Sequence, residues 1–427
     1  MISHIDNPDN VSSAEIVIGI PSYNEAKNIA IPTLQASLGL KRYFSNKSSV
    51  IINVDNNSKD GTREAFLDTK TEVSKIYIST PEDVKGKGYN VHNLLKVAAE
   101  LRAKAIILFD ADLTSITPEW IESFLEPIYD GYDFVVPIYS RHKYDGTITN
   151  NIAYPLQRTL YGLRVRQPIA GDFAISGRLA RCFLVEQTWT EEVYHFGIDI
   201  WMTTIAICRN FKVCQTFLGT SKAHRTKDPM GLDRMFSQVV GTCFQLMAAF
   251  EYIWKDIFES RPSVIYGFGL GHKENYPEVI VDPIKLYDSF IEGFDSYSDI
   301  WSDVLDPENF KSIQKLKRDK RENFYFESSL WAKIVFDFAI AFNIQEFERE
   351  RLLHALIPLY HSRTLSFVNT TSEMDTREAE NIEERLNRNF EAEKGYLIKH
   401  WDLASRNSNN SIELSKLIEL SKLDVNN

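Results

Sequence analysis

Cysteine is scarce: the 427 residues hold four, Cys182, Cys208, Cys214 and Cys243. They show neither CxxC spacing nor the density of a disulfide framework, so they read as small core residues. Long apolar runs are missing too. The longest, such as residues 105–109, fall far short of a bilayer, and residues 1–13 are polar with no signal-like hydrophobic stretch. A cytoplasmic protein without a membrane partner is the expectation. Positive charge is in deficit, with 48 Lys and Arg against 59 Asp and Glu and a net charge of −11. That balance opposes the electrostatic footprint of a nucleic-acid binder, so no nucleic-acid partner is expected, and local cations must hold any anionic ligand. No GxxxxGK[ST] occurs, which excludes an ATP-type P-loop. What remains is ordinary for a globular chain: 44% hydrophobic and 25% charged residues, enough for a large core and far from disordered or fibrous classes.

The first third alternates strand-like and helix-like segments, as in a mostly parallel α/β sheet. Residues 15–21 (EIVIGIP), 49–55 (SVIINVD) and 105–109 (AIILF) read as strands. Residues 24–40 carry helical spacing with an acidic residue in the first turn. Polar clusters follow each strand, and in open α/β sheets those carboxyl ends form the ligand crevice. From about Met230 the texture turns to helix-compatible stretches at 231–258, 330–342, 345–367 and 376–401. A boundary near residue 245 gives two domains, 1–245 and 246–427. Residues 261–307, rich in Pro, Gly and Asp, read as connecting loops, and 406–411 as a linker. The tail carries Ile412, Leu414, Leu417, Ile418, Leu420 and Leu423 on one helical face, too short to be stable alone. It is expected to dock on its own domain or on a neighbouring subunit, and a homo-oligomer is expected.

Asp110-Ala111-Asp112 is the only D-x-D, and it directly follows an apolar strand. Two carboxylates one residue apart can face a divalent cation that neutralises a leaving diphosphate; the plainer alternative is a solvated acidic turn. Lys222-Ala223-His224-Arg225 follows the strand-like run 212–218. An imidazole joining two carboxylates makes a mixed nitrogen and oxygen site that suits Mn²⁺ better than Mg²⁺, although a lone histidine is usually structural. Residues 84–88 (VKGKG) precede a helix-like segment and could approach a phosphate through backbone N–H groups and a lysine, or form a flexible basic turn. Asp55, at a strand end, could accept hydrogen bonds from a base or ribose, or belong to a polar loop.

Taken in order, Pro21-Ser22-Tyr23-Asn24-Glu25, the turn 54–62 (VDNNSKDGT), the GKG loop and the D-x-D resemble the signature of the GT-A nucleotide-sugar glycosyltransferases. Segments 110–121, 140–149, 167–172, 196–199 and 222–225 are similar to the retaining mannosylglycerate synthases and glucosyl-3-phosphoglycerate synthases, and the similarity continues through 323–332 and 359–367. The resemblance implies a GT-A α/β domain with a Rossmann-like mixed sheet, followed by a mostly helical domain that covers the acceptor site. It implies transfer of a mannosyl or glucosyl group, with retained configuration, from a nucleoside diphosphate sugar, GDP-linked by expectation, to D-glycerate or a related hydroxy acid, giving a compatible solute. By position, Asp112, Asp110 and His224 would hold Mn²⁺ or Mg²⁺. Pro21, Tyr23, Glu25, Asp55 and Lys87 would hold the nucleotide and diphosphate. Gln167, Ile169 and Ala170 would line the donor sugar, Asp199 would stand near it, and Arg141 and Thr149 would take the acceptor carboxylate and hydroxyl. A guanidinium grips a carboxylate through two donors, which a lysine cannot reproduce.

Ala170-Gly171-Asp172 replaces a Gly-Gly-Glu-like stretch, which leaves the hexose open. Residues 149–158 (TNNIAYPLQR) replace a GGGR loop, which disfavours a phosphorylated acceptor, although Arg158, Arg164 and Arg166 could supply a phosphate site. Three alternatives stay open: 3-phosphoglycerate as acceptor, an inverting family-2-type transferase with Asp199 as general base, and a non-catalytic nucleotide-sugar-binding protein.

Overall fold

The computed structural model describes residues 1–223, 229–267, 279–344 and 347–407. Contacts divide the chain into two compact units, one of Met1–Arg141, Val165–Thr226 and Pro262–Pro277, the other of His142–Arg164, Lys227–Arg261 and Glu278–Asn427.

The first unit is built on a sheet of β1 (His4–Asp6), β2 (Ile16–Ser22), β3 (Ser49–Asp55), β4 (Ser74–Ser79), β5 (Ala105–Leu108), β6 (Phe134–Ser140), β7 (Phe173–Ser176), β8 (Val213–Ser221) and β9 (Val264–Tyr266). Their order is β1-β4-β3-β2-β5-β7-β6-β8-β9. β1 runs antiparallel to β4, and β7 antiparallel to both neighbours; the other pairs are parallel. Ile16, Val17, Ile18, Ile20, Val50, Ile51, Ile52 and Val54 are fully buried, as expected of central parallel strands covered on both faces. The chain steps from β2 through β3 to β4 on one side, then returns to place β5 on the other side of β2. The carboxyl ends of β2 and β5 therefore border the crevice where the order reverses.

The helix expected from Asn24 begins only at Ala30 and runs to Tyr43. Residues 24–26 are instead held as a turn: the N–H groups of Asn24, Glu25 and Ala26 donate to Ser58 Oγ (2.7 Å), Thr62 Oγ1 (2.9 Å) and Asp60 Oδ2 (3.1 Å). Side-chain acceptors from the next loop compete with helix formation, and Asn24 takes a left-handed φ of 57°. Glu25 thus lies outside the first helical turn.

The second unit is helical, with a core that includes Trp254, Trp301, Trp331 and Trp401, all fully buried. Its main correction to the sequence reading is the helix Pro283–Val304, inside the region expected to be loops. Asp282 caps it through the N–H groups of Ile284 and Lys285, with Pro283 in the first turn. Leu286, Phe290, Gly293, Ile300, Trp301 and Val304 then face inward at helical spacing, diluted in the sequence by interleaved Asp, Ser and Gly. Gly293 is required by contact, since a Cβ there would lie 2.3 Å from Pro358 Cβ. The single helix expected over 376–401 is two, Thr376–Ala392 and Lys394–Asn407, and the amphipathic tail at 412–423 lies outside the described residues. Residues 142–164 are tied into this unit by Arg158, whose buried guanidinium makes four hydrogen bonds of 2.7–3.1 Å to Glu384 and Glu391. Arg158 is thereby committed to carboxylates and is not the phosphate ligand considered above.

Asp337 sits buried where three helices meet, accepting from Tyr396 Oη (2.6 Å), Asn309 Nδ2 (2.9 Å) and the Asp306 N–H (3.1 Å). Burial pushes its carboxyl up to about 6 against the pull of those donors. A carboxyl raised in the folded state favours folding while protonated, so its contribution is complete below about pH 4 and is lost as pH rises through 6. Urea unfolding of Asp337→Asn should therefore show a stability gain over wild type that grows by roughly 2 kcal/mol between pH 4 and 7. Parallel pH profiles would contradict it.

Candidate active site

Register explains which side chains meet at the crevice. β5 and β7 pair antiparallel with Leu108 opposite Phe173, so Asp110 beyond the end of β5 stands beside Asp172 just before β7, and the Asp110 N–H donates to Asp172 Oδ1 (3.1 Å). β6 and β8 run parallel with Ser140 opposite Ser221, and the Lys222 N–H donates to the Ser140 carbonyl. Arg141 and Lys222 consequently leave the sheet at this same edge. Lys222 Nζ lies 2.7 Å from the Ala170 carbonyl, 2.9 Å from Asp172 Oδ2 and 3.4 Å from Asp110 Oδ2. From the first turn of the helix Lys87–Glu100, Lys87 Nζ reaches Asp110 Oδ1 (2.9 Å) and Asp199 Oδ2 (3.0 Å).

These contacts form one chain of alternating charge: Asp199, Lys87, Asp110, Lys222, Asp172. It is sealed at Asp172, whose side chain is 0% exposed, and opens to solvent at Asp110, at 27%. Burial opposes the charge on Lys87, but Asp110 and Asp199 outweigh it and hold the ammonium firmly protonated. Lys222 is in the same position, with Asp172 as its main support. Burial raises the carboxyls of Asp172 and Asp199 despite their lysine partners. Asp199 Oδ1 is buried without a hydrogen-bond partner, an acceptor that costs free energy. Gly171 makes the packing possible: its φ is +85°, and a Cβ there would fall 2.1 Å from Asp110 Oδ2.

The signature loops serve architecture more than the sequence implies. Asp55 is fully buried and accepts from Ser22 Oγ (2.7 Å), Ser58 Oγ (2.7 Å), the Ser58 N–H (2.6 Å) and Tyr77 Oη (3.0 Å). These four hydrogen bonds shape the turn at the end of β3. In the glycine loop, the side chain of Asn56 brackets Gly86, accepting its N–H (3.1 Å) and donating to its carbonyl (3.3 Å). The N–H groups of Gly88 and Tyr89 donate to the carbonyls of His195 and Tyr194. A Cβ at Gly86 or Gly88 would sit 2.3 Å from the Tyr194 carbonyl oxygen or 2.0 Å from that of Val193. These glycines permit a close backbone approach, and their N–H groups are already used within the protein.

The other expected residues are placed as follows. Pro21 is buried in β2, and Glu25 accepts from Asn28 Nδ2 in the turn beyond it. Tyr23 is exposed, with Lys85 Nζ 2.9 Å from its hydroxyl. Gln167 and Ala170 are buried and Ile169 half-buried; the Pro168 carbonyl between them accepts from Thr203 Oγ1, one turn beyond Asp199 on the helix Ile198–Cys208. Arg141 Nη2 donates to Tyr139 Oη (2.7 Å), which donates to the Ala170 carbonyl (3.1 Å). Thr149 belongs to the other unit, buried in the π-helical segment Thr149–Ala153. Asp112 is half-buried, and no described side chain pairs with its carboxylate. His224 lies outside the described residues. Among the described residues, no three His, Cys, Asp or Glu side chains stand together as a ready metal cage, and no helix is long and apolar enough to cross a membrane. Asp172 and Lys222 were not singled out as site residues from sequence, although each adjoins a strand end beside one that was.

Residues 17–189 match the family described as "Glycosyl transferase family 2". Mannosylglycerate synthase of Rhodothermus marinus is 25% identical over 213 residues, 45% of this chain and 51% of that protein, so the chain spans about half the length of this curated relative. The crystal structure of glucosyl-3-phosphoglycerate synthase from Mycobacterium tuberculosis with Mg²⁺ and uridine diphosphate is 22% identical, covers 55% of this chain and 79% of that one, and has a TM-score of 0.43. The same enzyme with phosphoglyceric acid is 20% identical over 54% and 79%, with a TM-score of 0.42. The matched residues make part of the first unit similar to a family 2 glycosyl transferase domain, its mixed sheet with a switch point has the GT-A arrangement, and a mostly helical region follows in the chain.

Proposed function

We propose that this protein transfers a mannosyl or glucosyl group from a nucleoside diphosphate sugar, GDP-linked by our reading, to D-glycerate or a close hydroxy acid, with retention of configuration. The observation that carries the reading is the alternating cluster at the switch point, where the D-x-D carboxylate is flanked by two buried lysines. A divalent cation fits this edge: Asp112 offers oxygen donors that no described side chain engages, next to Asp110, and His224 follows Lys222 in sequence. Mg²⁺ or Mn²⁺ held there would supply Lewis-acid neutralisation of the diphosphate.

The chain's own residues supply the rest. Lys87, protonated at neutral pH, turns part of its charge from Asp110 and Asp199 toward the oxygen that becomes negative as the glycosyl bond breaks. Lys222 fixes Asp110 and the Ala170 carbonyl, and so the segment 167–170 along which we place the donor sugar. Arg141, oriented by Tyr139, takes the acceptor carboxylate. In the retaining reading the departing phosphate oxygen accepts the acceptor's proton, and no side chain becomes covalently attached.

A second reading has its own observation. The buried, unpartnered Asp199 Oδ1, on a carboxyl raised by burial, suits a general base in an inverting transfer. One experiment separates the readings: GDP- and UDP-linked mannose and glucose are incubated with D-glycerate or 3-phosphoglycerate and Mg²⁺ or Mn²⁺, with product mass and anomeric coupling as readouts. An α-linked product on glycerate is expected. A β product makes Asp199 the base, and donor binding with neither transfer nor hydrolysis leaves a binding protein.

A further inference from the structure

We propose that Trp189 and Tyr194 are positioning residues that fix Lys87 and Asp199 relative to one another; the inference rests on the chemistry proposed above for those two groups. Lys87 stands in the first turn of the helix Lys87–Glu100, and Asp199 in the first turn of the helix Ile198–Cys208. The chain leading into the second helix, residues 186–197, contains no helix or strand, so no repeating backbone pattern holds it and side chains must. Four rings join the two helices. Tyr89, two residues past Lys87, stacks on Tyr194 with centroids 4.4 Å apart and planes inclined by 13°. Tyr194 stacks on Trp189 at 5.1 Å and 28°, and Trp189 packs at 4.4 Å against Trp201, two residues past Asp199. His92, one turn beyond Tyr89 on its helix, meets the Trp189 ring nearly at right angles (5.1 Å, 86°), so that helix touches the set of rings at two points.

The rings are held in orientation. Trp189 Nε1 donates to the Phe183 carbonyl and Trp201 Nε1 to Thr188 Oγ1, 2.8 Å each, and Trp201 is fully buried. With one end fixed in the core, a displaced Tyr194 has to carry Tyr89 with it, because close-packed rings transmit strain. At the other end, the N–H groups of Gly88 and Tyr89 donate to the carbonyls of His195 and Tyr194 at 3.2 and 3.1 Å. N–H groups of a first helical turn have no acceptor within their own helix, so the placement of residues 194 and 195 decides whether these two stay bonded. Lys87 Nζ and Asp199 Oδ2 stand 3.0 Å apart at the site served by this packing. A misplacement of about 1 Å in a reacting group costs on the order of 10² in rate, so loss of the rings should register in turnover before it registers in the fold.

Hydrogen exchange by mass spectrometry and steady-state kinetics on the full chain test this. In Trp189→Leu and Tyr194→Leu, exchange of the Gly88 and Tyr89 amides should rise about tenfold or more. In the same variants kcat should fall about 10-fold to 10²-fold while donor KM changes less than about threefold. Tyr194→Phe keeps the ring and should restore both. In a Lys87→Met background the leucine substitutions should lower kcat by less than about a further threefold, because the group they position is already gone. Equal losses in both backgrounds would make the rings a structural element alone and overturn the proposal. Unchanged exchange also overturns it, as does raised exchange with wild-type kcat. A wild-type chain that transfers no hexose fails the function proposed above, and the exchange rates then decide the role of the rings by themselves. Where circular dichroism shows Trp189→Leu unfolded, Tyr194→Leu decides.

Discussion

Lys87→Met should lower kcat by about 10² to 10³, the usual cost of removing one preorganised group that stabilises charge developing in the transition state. It should also destabilise the protein by about 3–5 kcal/mol, because Asp199 and Asp110 lose the cation between them. The two effects can be separated. Adding Asp199→Asn removes one stranded charge and should restore most of the stability without restoring turnover. Urea unfolding and steady-state kinetics on both variants provide the readout. Turnover within tenfold of wild type in the single variant would take Lys87 out of the chemistry and leave it a purely structural cation.

Gly171→Ala is expected to be nearly as damaging, although it adds one methyl group. The left-handed backbone costs an alanine about 1–2 kcal/mol, and the methyl would sit 2.1 Å from Asp110 Oδ2. Asp110 must then swing away, breaking its contacts with Lys87 and Lys222 together. A loss of at least about 10² in kcat should accompany a modest loss of stability. Glycine at this position reads in sequence only as part of an unusual Ala-Gly-Asp stretch; its demand comes from a side chain 61 residues earlier. Normal kcat in a folded Gly171→Ala would show that the position of Asp110 is not critical.

The strands were legible because their signal is local. Residues 49–55 form a strand over the span expected, and that expected at 15–21 runs 16–22, since continuous β-branched runs bounded by turn residues have few alternatives. The D-x-D at the end of β5 was legible for the same reason. What was hidden depends on pairing between distant segments. The turn at 24–26 is decided by Ser58, Asp60 and Thr62, and the partnership of Asp110 with Asp172 by the antiparallel insertion of β7 between two strands of the sheet. Asp55 illustrates the limit: its motif marks the loop, but the hydrogen bonds it accepts from Ser22, Ser58 and Tyr77 join segments that no pattern along one strand reveals. The helix Pro283–Val304 was missed for a different reason, because polar residues with turn preference fill its outer face.

The seating of Gly86 and Gly88 against the backbone of 193–195 bears on how this protein can be re-engineered. Lys87 lies between the two glycines, and Asp199 follows the contacted segment by four residues, so the positions of both are set by one backbone-to-backbone seam. A loop transplanted from a relative to alter donor preference would bring its own curvature to only one side of that seam. Grafts that carry 84–89 and 190–199 as a pair should preserve the spacing of the two charged groups, whereas either piece alone should arrive misaligned however well its residues match the new sugar.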